Sequence, residues 1–578
     1  MTQRWGPPLA ARLSAPRPSL WDLAALAIVL GLVALLAWGG MAMGARYSPG
    51  QRLAISLAAA RLPEYALRSV LRMGWALLFS LAFSLAYGAL AAKSRRAARI
   101  LIPLLDVLQS VPILGFLSVT VTGFIALFPG RLLGVECAAI FAIFTSQAWN
   151  MAFSVYQSLR TVPTELVEAA RMLQLSPWQR FWRLEVPHAV PQLVWNMMMS
   201  LSGGWFFVVA SEAITVSGRT ILLPGIGSYI ATAIARQDLA AIGYAVLAML
   251  VVILFYDQLL FRPLVAWSRK FHTDPAGEED ANVRPWFLTV LQRSRLIAAL
   301  HQALLGLARL IDRAVGAGLR AVARRRPRLL PRIPGIAWEL AAAGAAVAGI
   351  AWIIAFVHAS VPLAEIGRVF VLGLFTAIRV LVLIALASLL WIPIGVAIGL
   401  RPLLAERVQP VVQFLAAFPA NLLFPVAVVL ILRFRLDPQI WLSPLMILGT
   451  QWYILFNVIA GAGAIPAELR RAAANLGVRR LLWWRRLALP AIFPAYVTGA
   501  VTAAGGSWNA SIVAEVVAWG RTRLQASGIG AYIAHATAAG DAPRLWLGIG
   551  VLCLYVLICN RLLWRPLYEA AAERSRLD

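Results

Sequence analysis

The chain alternates long apolar runs with shorter polar ones. Apolar stretches cover residues 22–44, 73–92, 100–128, 133–158, 190–215 and 240–261. A second set covers 337–358, 372–400, 409–433, 438–462, 491–517 and 544–564. Each is long enough to cross a hydrocarbon core, which takes about 20 residues of helix. The pattern predicts an all-α polytopic membrane protein with about twelve spans. Pro112 and Pro419 lie inside two of the longer runs and predict bends there. The first run is too long for a cleavable signal peptide, and Trp38-Gly-Gly-Met-Ala-Met-Gly44 leads on towards further spans.

The polar intervals repeat. VPTELVEAARMLQLSPWQRFWRLEVPHAVP (162–191) aligns without a gap on IPAELRRAAANLGVRRLLWWRRLALPAIFP (465–494). The offset, 490 − 187 = 303, persists through Trp205/Trp508, Glu212/Glu515, Gly225-Ile-Gly227/Gly528-Ile-Gly530 and Arg262-Pro-Leu264/Arg565-Pro-Leu567. Upstream it is 419 − 112 = 307, which sets Ser69-x-x-Arg72 opposite Thr376-x-x-Arg379. The second half has lost the difference, as expected of an external turn. A register this long marks a tandem duplication. An even number of spans per half gives both halves one orientation, so the repeat is parallel about an axis along the membrane normal.

Composition agrees: 61% of residues are hydrophobic and 13% charged, where soluble domains carry about a quarter charged. The formal charge of +27 is not spread evenly. Lys93/Arg95/Arg96/Arg99, Arg171/Arg180/Arg183, the stretch 262–332 and Arg470/Arg471/Arg479/Arg480/Arg485/Arg486 fall on one side of alternating spans. The positive-inside rule makes that side cytoplasmic and places both termini there, with no call for nucleic acid. Cys137, Cys553 and Cys559 lie in apolar runs and form neither a disulfide framework nor a metal-ligand spacing. Between the halves, Thr273–Asp280 is a polar linker. Beyond it Ile297, Leu300, Leu304, Leu307, Ile311 and Val315 line one helical face and Arg309, Arg313, Arg320 and Arg324 another. Such a helix can lie on anionic lipid.

The repeated segment is polar and too long for a mere connection. Thr164 can cap a short helix that carries Glu165 and Glu168 in its first turn, where the dipole favours acid. Ala169 and Ala170 give it a small flank. Ser176-Pro177 with Gln179 reads as a new helix start, and Pro187 as the end of that element. In the second copy Gly477 stands at the break, as a helix C-terminal glycine should.

Here the sequence resembles a family. Glu-Ala-Ala-x-x-x-Gly, followed after nine residues by Ile-x-Leu-Pro, is the signature loop of permease subunits of binding-protein-dependent ABC importers. Glu168-Ala169-Ala170, Leu184 and Val186-Pro187 hold the pattern in the first half, with Gln174 in place of the glycine. Ala472-Ala473, Gly477, Leu487 and Leu489-Pro490 hold it in the second, after Glu468, with Arg471 in place of the glutamate. The flanking Ser/Thr-x-x-Arg, the Trp…Glu of the fifth span and Gly-Ile-Gly-x-Tyr look like the nitrate/sulfonate/taurine branch. The resemblance implies the type I ABC importer permease fold as two parallel six-helix repeats. It implies a first permease domain over 61–271 after a tail and span (1–60), a linker (272–336), a first span of the second half (337–366) and a second permease domain (367–578). It implies two ATP-binding-cassette subunits on the cytoplasmic side, which bind ATP and Mg, and an extracytoplasmic solute-binding protein. The solute it implies is a small anion such as nitrate, a sulfonate, taurine or bicarbonate. The membrane is a bacterial-type cytoplasmic one.

The chain itself offers no phosphate-binding loop, since neither Lys93 nor Lys270 follows glycine. Glu212 and Glu515 read as acids well inside the fifth span of each half. They either line the path or pair with Arg72 and Arg379, and pairing is favoured because an unpaired buried charge is costly. Trp205 and Trp508 could stack on a solute, but packing is the commoner role. Asp106 faces Gln413 in the alignment, and Asn196 faces Gly499. Two other classes stay open. A major-facilitator transporter also has twelve spans in parallel halves, but Gly88-Ala-Leu-Ala-Ala-Lys-Ser-Arg-Arg96 lacks the acid and second glycine of its loop. An intramembrane enzyme ranks last, because no metal motif, Ser-Lys or Asp pair recurs.

Overall fold

The computed structural model describes residues 20–47, 53–110, 113–216, 219–271, 286–295, parts of 297–310, and 335–574. By contact the described residues fall into two units, one within 1–42, 162–191 and 256–330, the other within 43–161, 192–255 and 331–578. Eight helices are long and apolar enough to cross a membrane, and two bent pairs bring the number to 10. The fold is all-α and polytopic. The span 337–358 falls on the helix Gly335–His358. The span 100–128 comprises the helices Arg95–Ser110 and Ile113–Leu127; Pro112 itself lies outside the described residues.

Several boundaries move, each for a local reason. The run 409–433 breaks by 72° between Pro402–Ala417 and Ala420–Arg433, at Pro419 as its chemistry requires. The run 438–462 is also broken, by 44° between Pro438–Ile447 and Gln451–Gly463, where no proline marks the break. The spans starting at 73 and 372 begin earlier, as Leu62–Lys93 and Leu363–Gly399, because their first turns are amphipathic and carry Glu64 and Glu365. The spans 190–215 and 491–517 stop short, at Glu212 and Ala514. Each is followed by an antiparallel hairpin, β1 (Ala213–Val216) with β2 (Arg219–Leu222) and β3 (Val516–Trp519) with β4 (Thr522–Gln525). The first strand of each hairpin, Ala-Ile-Thr-Val or Val-Val-Ala-Trp, is apolar enough to extend a span in sequence.

Pro187 and Pro490 do not end an element. The helices run on as Pro177–Glu212 and Arg480–Ala514. A π turn, Phe181–Glu185 or Trp484–Ala488, stands just before each proline. The same device precedes Pro263 and Pro566, at Asp257–Phe261 and Asn560–Trp564. A proline lacks an N–H and its ring collides with the carbonyl four residues back. Widening that turn moves the carbonyl away, and the helix continues.

In the larger unit the helix Leu62–Lys93 packs along Leu133–Arg160, and Leu363–Gly399 along Gln451–Gly463. Small residues let these backbones approach, as helix contacts in lipid require. A Cβ on Gly88 would stand 2.7 Å from Val155, and one on Gly395 would stand 2.7 Å from Val458. The four residues are pseudo-equivalent (395 − 88 = 307; 458 − 155 = 303). Ser80 and Ser84 donate to the carbonyls of Phe144 and Ala148 across the same contact. In the smaller unit Ser294 Oγ donates to Asp22 at 3.0 Å, and the Arg293 guanidinium lies 5.5 Å from the Trp21 ring. These contacts hold the linker helix Trp286–Arg293 to the first span; most of the amphipathic face read at 297–324 lies outside the described residues.

Gly88→Ala and Gly395→Ala should each cost about 1–3 kcal/mol through overpacking. Gly123→Ala, whose Cβ would meet nothing within 4 Å, should be neutral or stabilising. Thermal unfolding of the three detergent-solubilised variants checks this, and equal midpoints would refute the packing account.

Candidate functional site

The two signature segments fold alike. Each opens with a helix, Thr164–Met172 or Ala467–Asn475. The N-cap is Pro163 or Pro466 and not Thr164, whose hydroxyl instead donates to Glu165. Proline brings a fixed φ and no N–H to satisfy, so it starts the helix without a side-chain cap. Each helix closes with the same pair of bonds: Leu175 N–H to Ala170 C=O and Gln174 N–H to Arg171 C=O, then Val478 to Ala473 and Gly477 to Ala474. This closure needs a left-handed residue. Gly477 supplies it at φ 66°, and Gln174 is forced into it at φ 52°. The capping box of Ser176 and Gln179 is present in the first segment, whereas Arg479 caps nothing in the second.

The exposed surface of each segment is partly apolar. Glu165, Glu168 and Ala169 are exposed, as are Glu468, Arg471 and Ala472, while Ala170 and Ala473 turn inward. Leu166 and Leu173 are 39% and 73% exposed, and their counterparts Leu469 and Leu476 are 52% and 80% exposed. A solvated connector has no reason to show leucine twice at matching positions.

A different set of residues is sealed inside. Arg72 Nε and Nη2 donate to both oxygens of Glu136 at 2.6 and 2.7 Å. Its Nη1 donates to Glu212 at 2.6 Å, and Nη2 also reaches the Pro224 carbonyl. Ser69 Oγ and the Gly227 N–H donate to the Glu212 carboxylate, both at 2.6 Å. Arg72, Glu136 and Glu212 are at most 1% exposed. Glu212 is the last residue of its helix, not deep within a span. The network ties that helix end to Leu62–Lys93, to Leu133–Arg160 and to the turn before Ile226–Arg236. It also explains the glycines. A Cβ on Gly225 would overlap the Glu212 carboxylate, and one on Gly227 would overlap the Val209 carbonyl.

The second copy is looser. Arg379 meets Glu515 at 3.2 Å, and Thr376 Oγ1 donates to Glu515 at 2.7 Å. The place of Glu136 is taken by Gln439 (439 − 136 = 303), whose Oε1 accepts from Arg379 at 3.0 Å. Arg379 is 15% exposed. Glu136 is not legible from the first repeat's sequence, because a lone acid in an apolar run carries no spacing signal. Its replacement by glutamine in the other copy was the available hint. The offset is thus already 303 here, so the lost residues lie between Pro112 and Glu136, an interval that holds the turn before Leu133–Arg160.

A cavity of about 160 Å³ lies in the larger unit, lined by both repeats. Its walls include Gln109, Asn150, Phe206, Tyr453, Thr502 and Asn509. The Ile113 N–H donates to Asn509 Oδ1 at 2.8 Å, and Asn421 Nδ2 donates to the Phe206 carbonyl at 3.2 Å. Ile113 and Asn421, in the third span of each repeat, therefore dock on the fifth span of the other. Trp205 and Trp508 are buried at 0% and 2% exposure and are not among the lining residues. Neither are Arg72, Glu212, Arg379 and Glu515. Asn196 bonds within its own helix, and the Asp106 side chain lies outside the described residues.

Removing Arg72 leaves two carboxylates buried without a cation, so Arg72→Met should cost about 3–5 kcal/mol. Arg379→Met strands one carboxylate beside a partly open position and should cost less. The amount of folded chain recovered from membranes reads the difference; equal recovery contradicts it. Glu212→Ala should likewise reduce membrane levels more than it alters solute choice.

Residues 84–261 and 391–562 each match the family described as binding-protein-dependent transport system inner membrane component, and together they make up more than half of the chain. A nitrate import permease protein of Leptolyngbya laminosa is 30% identical over 184 residues, 32% of this chain and 62% of its own length. A glycine betaine/proline betaine transport system permease protein of Escherichia coli is 30% identical over 181 residues, 31% of this chain and 47% of its own length. A taurine transport system permease protein of Escherichia coli is 26% identical over 211 residues, 36% of this chain and 72% of its own length. The chain thus spans less than two thirds of the nitrate and betaine relatives. The double match removes the major-facilitator alternative. The chain belongs to the family of binding-protein-dependent transport system inner membrane components and carries the family's domain twice, in tandem.

Proposed function

We propose that this chain supplies both membrane domains of an ATP-driven importer for a small solute, with the two signature segments as its contacts to two ATP-binding subunits. The observation that carries the reading is the repeated exposed helix with leucine at matching positions, on a chain that has no phosphate-binding loop of its own. Each helix seats in a groove of one ATPase. Ala169 and Ala472 allow close approach, and Leu173 and Leu476 fill apolar pockets. ATP binding draws the two ATPases together and carries the segments with them. Beyond the turn that closes each docking helix, the chain runs on as continuous helix, Pro177–Glu212 and Arg480–Ala514, into the fifth spans. The basic side of the spans is cytoplasmic, and the binding protein delivers solute to the opposite face. Coupling of this kind is a two-state equilibrium biased from both faces.

The solute is a small anion or zwitterion of the kind that the nitrate and taurine relatives are named for. Arg471 in place of Glu168 makes the two docking surfaces electrostatically unlike, which suits two different ATPases or one used at unequal sites.

Ala169→Arg with Ala472→Arg should abolish uptake while the chain still reaches the membrane at its normal level, because both positions are exposed and no core packing is lost. Co-purification of the ATPase from these membranes should fall in parallel. Normal uptake by the double variant would contradict the docking assignment.

A further inference from the structure

The central cavity has two unlike walls. The first repeat contributes Gln109, Thr145, Ser146 and Asn150. The pseudo-equivalent positions of the second are Ala416, Leu448, Gly449 and Tyr453 (416 − 109 = 307; 453 − 150 = 303). Among the described lining residues none carries a charge at neutral pH. The hydroxyl hydrogens are already committed: Thr145 donates to Ala142, Ser146 to Ile143 and Thr502 to Thr498. The amides differ. Gln109 Nε2 donates to Asn150 Oδ1 at 3.3 Å, which orients the Asn150 amide and leaves its NH₂ group for another acceptor. Three uncommitted amide hydrogens therefore sit on the first repeat's side, one on Gln109 and two on Asn150. On the second repeat's side Asn509 accepts from Ile113 and donates to the Gly505 carbonyl, which leaves it one.

We propose that this cavity is a solute site on the translocation path, that the Gln109–Asn150 amide pair recognises an oxyanion head bearing a single negative charge, and that dianions are rejected. The proposal rests on the importer reading and deepens it. The cost of stripping water from an ion rises with the square of its charge, and neutral donors return hydrogen bonds but no countercharge. A monoanion, or a zwitterion presenting a sulfonate, can be met by two amides; sulfate cannot. The volume suits a solute of a few heavy atoms.

The test uses the full chain with its ATPase and binding protein in proteoliposomes, and labelled nitrate, taurine, bicarbonate and sulfate as probes. Wild type should move at least one of the first three and not sulfate. Asn150→Asp, nearly isosteric but anionic, should cut that uptake by about tenfold or more, and Gln109→Glu should do the same. Gly123→Ala, outside the cavity and with open space for its Cβ, should stay within about twofold. ATP hydrolysis should persist in all of them. Sulfate uptake, wild-type rates in both acid variants, or an ATP-hydrolysing complex that moves none of the three probes would overturn the proposal. Should no ATPase associate with wild type, the importer reading fails. Titration calorimetry of the purified chain with nitrate and taurine then decides the cavity: binding lost in Asn150→Asp supports it, and equal or absent binding in wild type refutes it.

Discussion

A guanidinium shut away from water has to be met by carboxylates at hydrogen-bond distance, and Arg72 is met by two. That requirement organises the first repeat. It fixes where the fifth span stops, because Glu212 must present its carboxylate at the helix end. It fixes Gly225, because the next turn crosses over that carboxylate with no room for a side chain, and it brings the Gly227 N–H onto the same carboxylate. It joins three helices at one point, so their packing elsewhere can rely on weak contacts between small residues. The second repeat keeps the arginine, the hydroxyl and the helix-end acid but exchanges the other acid for Gln439, and its arginine stays partly open. A buried ion pair adds little net stability while its disruption costs much. The value of such a network lies in holding one geometry.

Much of this was legible in the chain. Apolar runs located the membrane helices because hydrocarbon thickness sets a minimum length. The duplication located the loops and paired Arg72 with Glu212 through their shared counterparts. Gly477 announced the helix end that Gln174 copies under strain. Other features had no local signal. The strands that follow the fifth spans directly, β1 and β3, are short and apolar, so they read as more span. Pro187 read as a terminator because proline usually is one, and the π turn that absorbs it depends on residues whose side chains are unremarkable. The break at 448–450 has no proline at all. Glu136 and the cavity lining depend on which helices meet, and periodicity within one helix does not report that.

The fifth spans line the cavity with residues that differ between the repeats. Duplication first gives two equal halves. Fusion in one chain then frees each half to change alone, as seen in Glu136 against Gln439, Asn150 against Tyr453 and Glu168 against Arg471. Under the proposed function, one half specialises in holding the solute while both transmit force.

The most direct test is native mass spectrometry of the tagged chain extracted from its own membranes in mild detergent. The account predicts one copy of this chain with two ATP-binding subunits, identical or different, and loss of both when Ala169 and Ala472 carry arginine. A chain that flies alone at every detergent concentration, while still supporting uptake in the membranes it came from, would contradict it.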